Sequence, residues 1–76
     1  MSVVYSANGS NYDNGFAIGY ENVRVMYHDK GCIKTIGFIE VVEQETKKNN
    51  DDYHRGYLDG CVKAFQNMHK NADVNI

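Results

Sequence analysis

Residues 32–43 read CIKTIGFIEVVE. Read as a strand, the segment alternates between an odd face of Ile33, Thr35, Gly37, Ile39 and Val41 and an even face of Cys32, Lys34, Ile36, Phe38, Glu40 and Val42. β-branched and aromatic residues crowd the run, a composition that fits a pleated, half-buried surface. Both faces carry large apolar side chains, whereas an antiparallel strand in a two-layer domain normally keeps one face wet. Two readings follow. Either the even face is the core, with Lys34 and Glu40 near the strand edges, or Ile36, Phe38 and Val42 form a second apolar surface for dimerisation or partner binding.

Toward the N-terminus, Asp29-Lys30-Gly31 suits a turn in which glycine takes the left-handed position, and FAIGYENVRVMYH (16–28) precedes it. Val23, Val25 and Tyr27 share one parity; Phe16, Ile18 and Tyr20 have the other, so a bulge near Glu21-Asn22 would bring both sets to one face. Residues 7–15 are dense in Asn, Gly, Ser and Asp, with turn-forming Asn-Gly pairs at Asn8-Gly9 and Asn14-Gly15. They read as a loop following a short apolar strand at about 2–6.

Toward the C-terminus, QETKKNNDD (44–52) is a polar connection. Asn49 or Asn50 is the expected N-cap of a helix over about 50–71, and Asp51 and Asp52 suit the positive end of its dipole. At 100° per residue Tyr53, Tyr57, Cys61, Ala64, Phe65 and Met68 gather on one side, opposite Arg55, Asp59, Lys63, Gln66 and Lys70. The tail 72–76 is expected to fray. The expected fold is therefore a single α+β domain of β-β-β-α order. Three antiparallel strands (about 2–6, 16–28 and 32–43) form a meander packed against one C-terminal amphipathic helix.

That helix holds Gly56 and Gly60, each costing roughly 1 kcal/mol relative to alanine in a helix interior. With Ala64 they form a ridge at i, i+4, i+8 that lets another backbone approach closely. The ridge packs on the sheet, or it carries a helix–helix dimer.

At 76 residues the chain is one domain near the lower limit for a self-sufficient core. Apolar residues at 42% and charged residues at 24% place it among folded globular chains. A net charge of −2 argues against direct nucleic-acid binding, which rests largely on phosphate attraction. No run approaches the ~20 apolar residues of a membrane helix, and the N-terminus lacks the basic and apolar regions of a signal peptide. A cytoplasmic location and free thiols at Cys32 and Cys61 are the corresponding expectations.

His28, Cys32, His54 and Cys61 are all zinc-ligand types, but His54 and Cys61 lie about 10 Å apart along a helix at a ~1.5 Å rise per residue. They cannot share one ion, so a four-ligand site is out and only a three-ligand site using one of them remains, such as His28, Cys32 and His54; no metal and no cofactor is the expectation. No nucleophile–base spacing or phosphate-binding glycine loop is present, so an enzyme is not expected. Acidic Glu40, Glu43, Glu45, Asp51 and Asp52, with Tyr12 and Tyr20 as aromatic anchors, make a candidate partner-binding surface.

In size, absence of proline and an Asn/Lys/Tyr-rich composition, the chain resembles small accessory proteins of phages and mobile elements, anti-CRISPR and other anti-defence inhibitors among them. The resemblance implies a non-enzymatic protein that binds a host protein or ribonucleoprotein complex in the host cytoplasm. The alternatives are a small structural or regulatory homodimer, and a ligand- or metal-binding module at His28, Cys32 and His54.

Overall fold

The computed structural model describes residues 10–74, with side chains described over 11–70. These residues form three α-helices: α1 (Ser10–Lys30), α2 (Cys32–Lys48) and α3 (Asp52–Val74). There is no strand among the described residues. The fold is an all-α three-helix bundle, which overturns the expected α+β meander. Segments 16–28 and 32–43 are helical, as are residues 10–15 of the expected loop. The expected strand at 2–6 and the Asn8-Gly9 turn lie outside the described residues. The expected C-terminal helix is α3, and its helical path continues through 72–74 to Val74.

The dominant contact joins the first helix to the third. Tyr12 meets Asp59, Gly19 meets Cys61 and Tyr20 meets Asn67, so α1 and α3 run parallel, with α2 returning between their ends. Two Gly-x-x-x-Gly ridges face each other across this seam, Gly15 and Gly19 on α1, Gly56 and Gly60 on α3. A Cβ added at Gly15, Gly19, Gly56 or Gly60 would come closer than 3.0 Å to the backbone carbonyl oxygen of Tyr53, Tyr57, Tyr12 or Phe16 respectively. Each glycine Cα therefore faces a carbonyl of the other helix, the setting in which weak Cα–H···O contacts recur at helix interfaces. A helix, not a sheet, lies on the Gly56–Gly60–Ala64 ridge, and it belongs to the same chain. The ridge is not open to a second copy.

Past the glycines the helices diverge enough for side chains. Val23, Cys61 and Ala64 are fully buried there, and the Tyr27 and Phe65 rings meet edge to face at 5.7 Å. Tyr12, Phe16 and Tyr20 run along one flank of the seam with successive ring centroids 6.3 Å apart. Polar tips close its margins: Tyr12 Oη donates to Asp59, Asn67 Nδ2 to Tyr20 Oη at 2.8 Å, and Asn22 Nδ2 to Tyr57 Oη at 2.6 Å.

α2 is held differently. Its buried residues are Thr35 and Thr46, whose hydroxyls donate to the carbonyls of Gly31 and Val42, each at 2.8 Å. Such i−4 bonds satisfy a buried hydroxyl locally, and Thr46 Oγ1 also lies 3.4 Å from the His54 carbonyl oxygen of α3. Phe38, Ile39 and Val42 pack half-buried against the Val23–Cys61–Ala64 core, while Ile33 is 84% and Val41 60% exposed. Neither alternating face is the core: Thr35 and Ile39 from the odd set and Phe38 and Val42 from the even set point inward together.

The α1–α2 connection is Gly31, at φ 94° and ψ 175°. This backbone region is essentially restricted to glycine. The expected Asp29-Lys30-Gly31 hairpin turn is not formed, since Asp29 and Lys30 belong to α1; Gly31 does take a positive φ, and alone joins two helices. Gly31→Val should lower stability by about 1–3 kcal/mol. Chemical denaturation would show it as a lower midpoint at unchanged slope, because the surrounding space is open and only the backbone is strained. An unchanged midpoint would mean that the connection has another conformation available.

Candidate interaction surface around Phe38

α2 rests on the α1–α3 pair through Phe38, whose ring lies 6.5 Å from that of Tyr57. A groove remains on each side of this contact. The groove between α1 and α2, about 410 Å³, is lined by Asn22, Val25, Met26, Asp29 and Lys30 together with Phe38 and Tyr57. The groove between α2 and α3, about 300 Å³, is lined by Val41, Val42, Glu45, Tyr53 and His54 with the same Phe38 and Tyr57. The two grooves, which share Phe38 and Tyr57, make up an aromatic and aliphatic cleft on either side of that contact, with the oppositely charged Asp29 and Lys30 in its α1–α2 half and Glu45 in its α2–α3 half. Val25, Val41 and Tyr53 are all exposed.

The surface arises because two of the inward positions of α2, Thr35 and Thr46, are polar. Threonine at 35 and 46 buries little apolar area, so the remaining isoleucines and valines of the helix stay near solvent. Apolar surface removed from water is worth roughly 25 cal/mol per Å². Covering this cleft is accordingly favourable for any partner of matching shape.

The sequence-predicted site residues are dispersed. Glu45 lines the cleft, while Glu40 and Glu43 sit on the outer side of α2 beside Gly37, Val41 and Gln44. Tyr12 and Tyr20 are engaged on α3 by Asp59 and Asn67. Asp52 pairs with Arg55, and Asp51 caps α3. Asp51 takes the N-cap role expected of Asn49 or Asn50: it accepts the His54 backbone N–H at 2.9 Å and the His54 ring nitrogen at 2.7 Å. The backbone bond first, then the ring, hold its carboxyl below the usual range. Of the expected apolar surface, Phe38 and Val42 line the cleft and Ile36 stays 41% exposed.

His28, Cys32 and His54 are not brought together. His28 Nδ1 lies 3.1 Å from Asp29 and His54 Nδ1 2.7 Å from Asp51, on different helices. No group of three His, Cys, Asp or Glu converges on a metal position among the described residues. Cys32 is half-buried and Cys61 buried, both as free thiols. Burial pushes the Cys61 thiol up to about 12, and its Sγ contacts the Gly19 carbonyl oxygen at 3.6 Å. An inert, protonated thiol of this kind is a packing element rather than a nucleophile.

Comparison with protein-family models, curated proteins and solved structures returns no significant match. Among the described residues no helix is long and apolar enough to cross a membrane. Reasoning from the sequence missed Val25, Met26 and Tyr57 as cleft residues. Ile18, Asn22, Val25 and Asp29 recur at helical spacing on α1, which was the available signal.

Proposed function

We propose that the chain is a non-enzymatic protein-binding module, a phage-type inhibitor acting in the host cytoplasm on a defence or nucleic-acid-handling complex. Its working surface is the cleft around Phe38. The observation that carries this reading is the set of exposed apolar and aromatic side chains, Val25, Val41 and Tyr53, around Phe38 and Tyr57 on a bundle with a small core. An amphipathic helix of the target, apolar on one face and basic at one margin, fits such a cleft as helix-in-groove recognition. A basic margin would meet Glu45 on the α2–α3 side, giving orientation and faster encounter more than raw affinity.

The test is affinity capture from host lysate with wild type, Val25→Glu and Phe38→Ala, each checked for helical circular dichroism. A specific partner retained by wild type should be weakened at least about tenfold by Val25→Glu, since a charge placed in an apolar contact is left unpaired there. A partner captured equally by all three proteins would remove the cleft from the proposal. Reversing Glu45 to lysine should slow association more than it speeds dissociation.

A further inference from the structure

The two corners of the bundle are built differently. Between α2 and α3, Asn49 closes one helix by donating its backbone N–H to the Glu45 carbonyl at 2.9 Å, and Asp51 opens the next by accepting the His54 N–H at 2.9 Å. Asp52 adds a negative charge in the first turn of α3. Between α1 and α2 there is one residue, Gly31. α2 starts with no side-chain cap and no acidic residue in its first turn, and Lys34 stands at its positive end. A glycine, not a cap, makes this boundary.

The bonds that meet at Gly31 are already those of one helix. Its N–H donates to the Tyr27 carbonyl at 3.1 Å, and its own carbonyl accepts the Thr35 N–H at 3.2 Å and the Thr35 hydroxyl at 2.8 Å. All three run from residue i to residue i−4, as in a continuous helix. The N–H groups of Cys32, Ile33 and Lys34 are the ones turned away from the carbonyls of His28, Asp29 and Lys30. What bends the chain is the Gly31 backbone, at φ 94° and ψ 175°. Moving that one residue into the α region makes residues 10–48 a single helix of roughly 60 Å, at ~1.5 Å per residue, and closes the three missing bonds.

A straightened chain cannot lay α1 on its own α3. Two straightened chains, antiparallel about a two-fold axis near Gly31, return each α1 to the α2–α3 hairpin of the other. Gly15 and Gly19 then meet Gly56 and Gly60 between chains as they do within one. The packing being the same in both forms, the balance rests on the corner and on concentration, the condition under which identical elements are exchanged between protomers.

We infer that Gly31 is a hinge for exchange of α1 between two copies of this chain, and that glycine at this position holds the closed single-chain form. The corner's backbone conformation is essentially restricted to glycine, whereas alanine is strained there and favoured in a helix. The space around Gly31 is open, so a methyl added there acts through the backbone alone.

Sedimentation equilibrium of the full chain across a wide concentration range tests this. Gly31→Ala should form a two-chain species with a dissociation constant at least about a hundredfold below that of wild type, because two corners gain at once. Its helical circular dichroism should be undiminished. Inserting four glycines after position 31 of that variant should restore a single-chain mass, since a flexible link breaks the long helix and lets α1 close on its own α3. A Gly31→Ala protein of single-chain mass at every concentration would overturn the inference. So would a two-chain mass that survives the insertion, because an ordinary surface contact is indifferent to the link. Should Gly31→Ala lose its helical signal, wild type refolded at high concentration decides. A two-chain species that reverts slowly on dilution is expected there, and its absence would overturn the inference. No outside partner enters these measurements, so the hinge and the Phe38 cleft fail separately.

Discussion

Gly60→Ala is expected to destabilise the chain by about 2 kcal/mol or more, and Gly60→Leu to leave little folded protein. The general preference runs the other way, since glycine to alanine in a helix interior normally gains roughly 0.5–1 kcal/mol. At Gly60 the added methyl would come closer than 3.0 Å to the Phe16 carbonyl oxygen, and a backbone atom cannot rotate aside. The helices must separate, which also loosens the contacts at Gly15, Gly19 and Gly56. Overpacking of this kind typically costs ~1–3 kcal/mol, and more where nothing can relax. Each kcal/mol moves Tm by about 4–8 °C in a domain of this size. Gly37→Ala supplies the control of opposite sign, because its added methyl meets open space. Thermal unfolding followed by circular dichroism reads both. A Gly60→Ala protein as stable as wild type would mean that α1 and α3 are not in backbone contact.

Cys61 is expected to be about a thousandfold less reactive than an unperturbed thiol toward a thiolate-seeking reagent at mildly alkaline pH. Burial alone raises its pKa from 9.0 to about 12, and each unit reduces the thiolate fraction about tenfold below the pKa. Cys32, half-buried at the start of α2, is the internal reference. Mass spectrometry of the singly modified protein should place the label on Cys32, and comparable labelling at Cys61 would contradict its burial. The same shift has a consequence for stability. Because the folded pKa is raised, the unfolded chain binds fewer protons than the folded one between about pH 9 and 12. The stability gained from the neutral thiol is complete below pH 9 and is lost as pH rises through that window. The slope reaches ~1.4 kcal/mol per pH unit. Cys61→Ala should flatten the alkaline limb of the stability profile while lowering its plateau through the cavity it leaves.

The third helix was legible because its apolar residues recur at helical spacing and its polar ones fall opposite. The first two were not, for separate physical reasons. In α1 the buried stripe is Gly15, Gly19 and Val23, and glycine contributes nothing to a hydropathy period. What remained visible was the alternation of Phe16, Ile18 and Tyr20, then Val23, Val25 and Tyr27, which has the period of a strand. Asn14-Gly15 added a false turn signal. In α2 the pattern is blurred, with threonines inside beside Phe38, Ile39 and Val42 while Ile33 and Val41 stay outside, so hydrophobicity alone does not single out the inner face. β-branched residues then favour a strand. The glycine ridge of α3 was recognised, and the matching four-residue spacing of Gly15 and Gly19 was the unused clue that a second helix lay against it. The candidate site suffered in proportion: Phe38 and Val42 were marked as apolar surface, but the α1 and α3 walls of the cleft depend on a topology that a meander cannot produce.

The parallel seam between α1 and α3 also bears on how the chain reaches its native state. Its contacts join distant positions, Gly19 to Cys61 across 42 residues and Tyr20 to Asn67 across 47. Helical bundles usually fold fast because neighbouring helices reward each other early, and contact order is low. Here the middle helix meets the others through half-buried Phe38, Ile39 and Val42 and two threonines, and the tightest packing comes only after a long loop has closed. Loop-closure entropy is therefore incurred before most of the compensating contacts form. During synthesis the first helix has no partner for its glycine face until the last helix emerges.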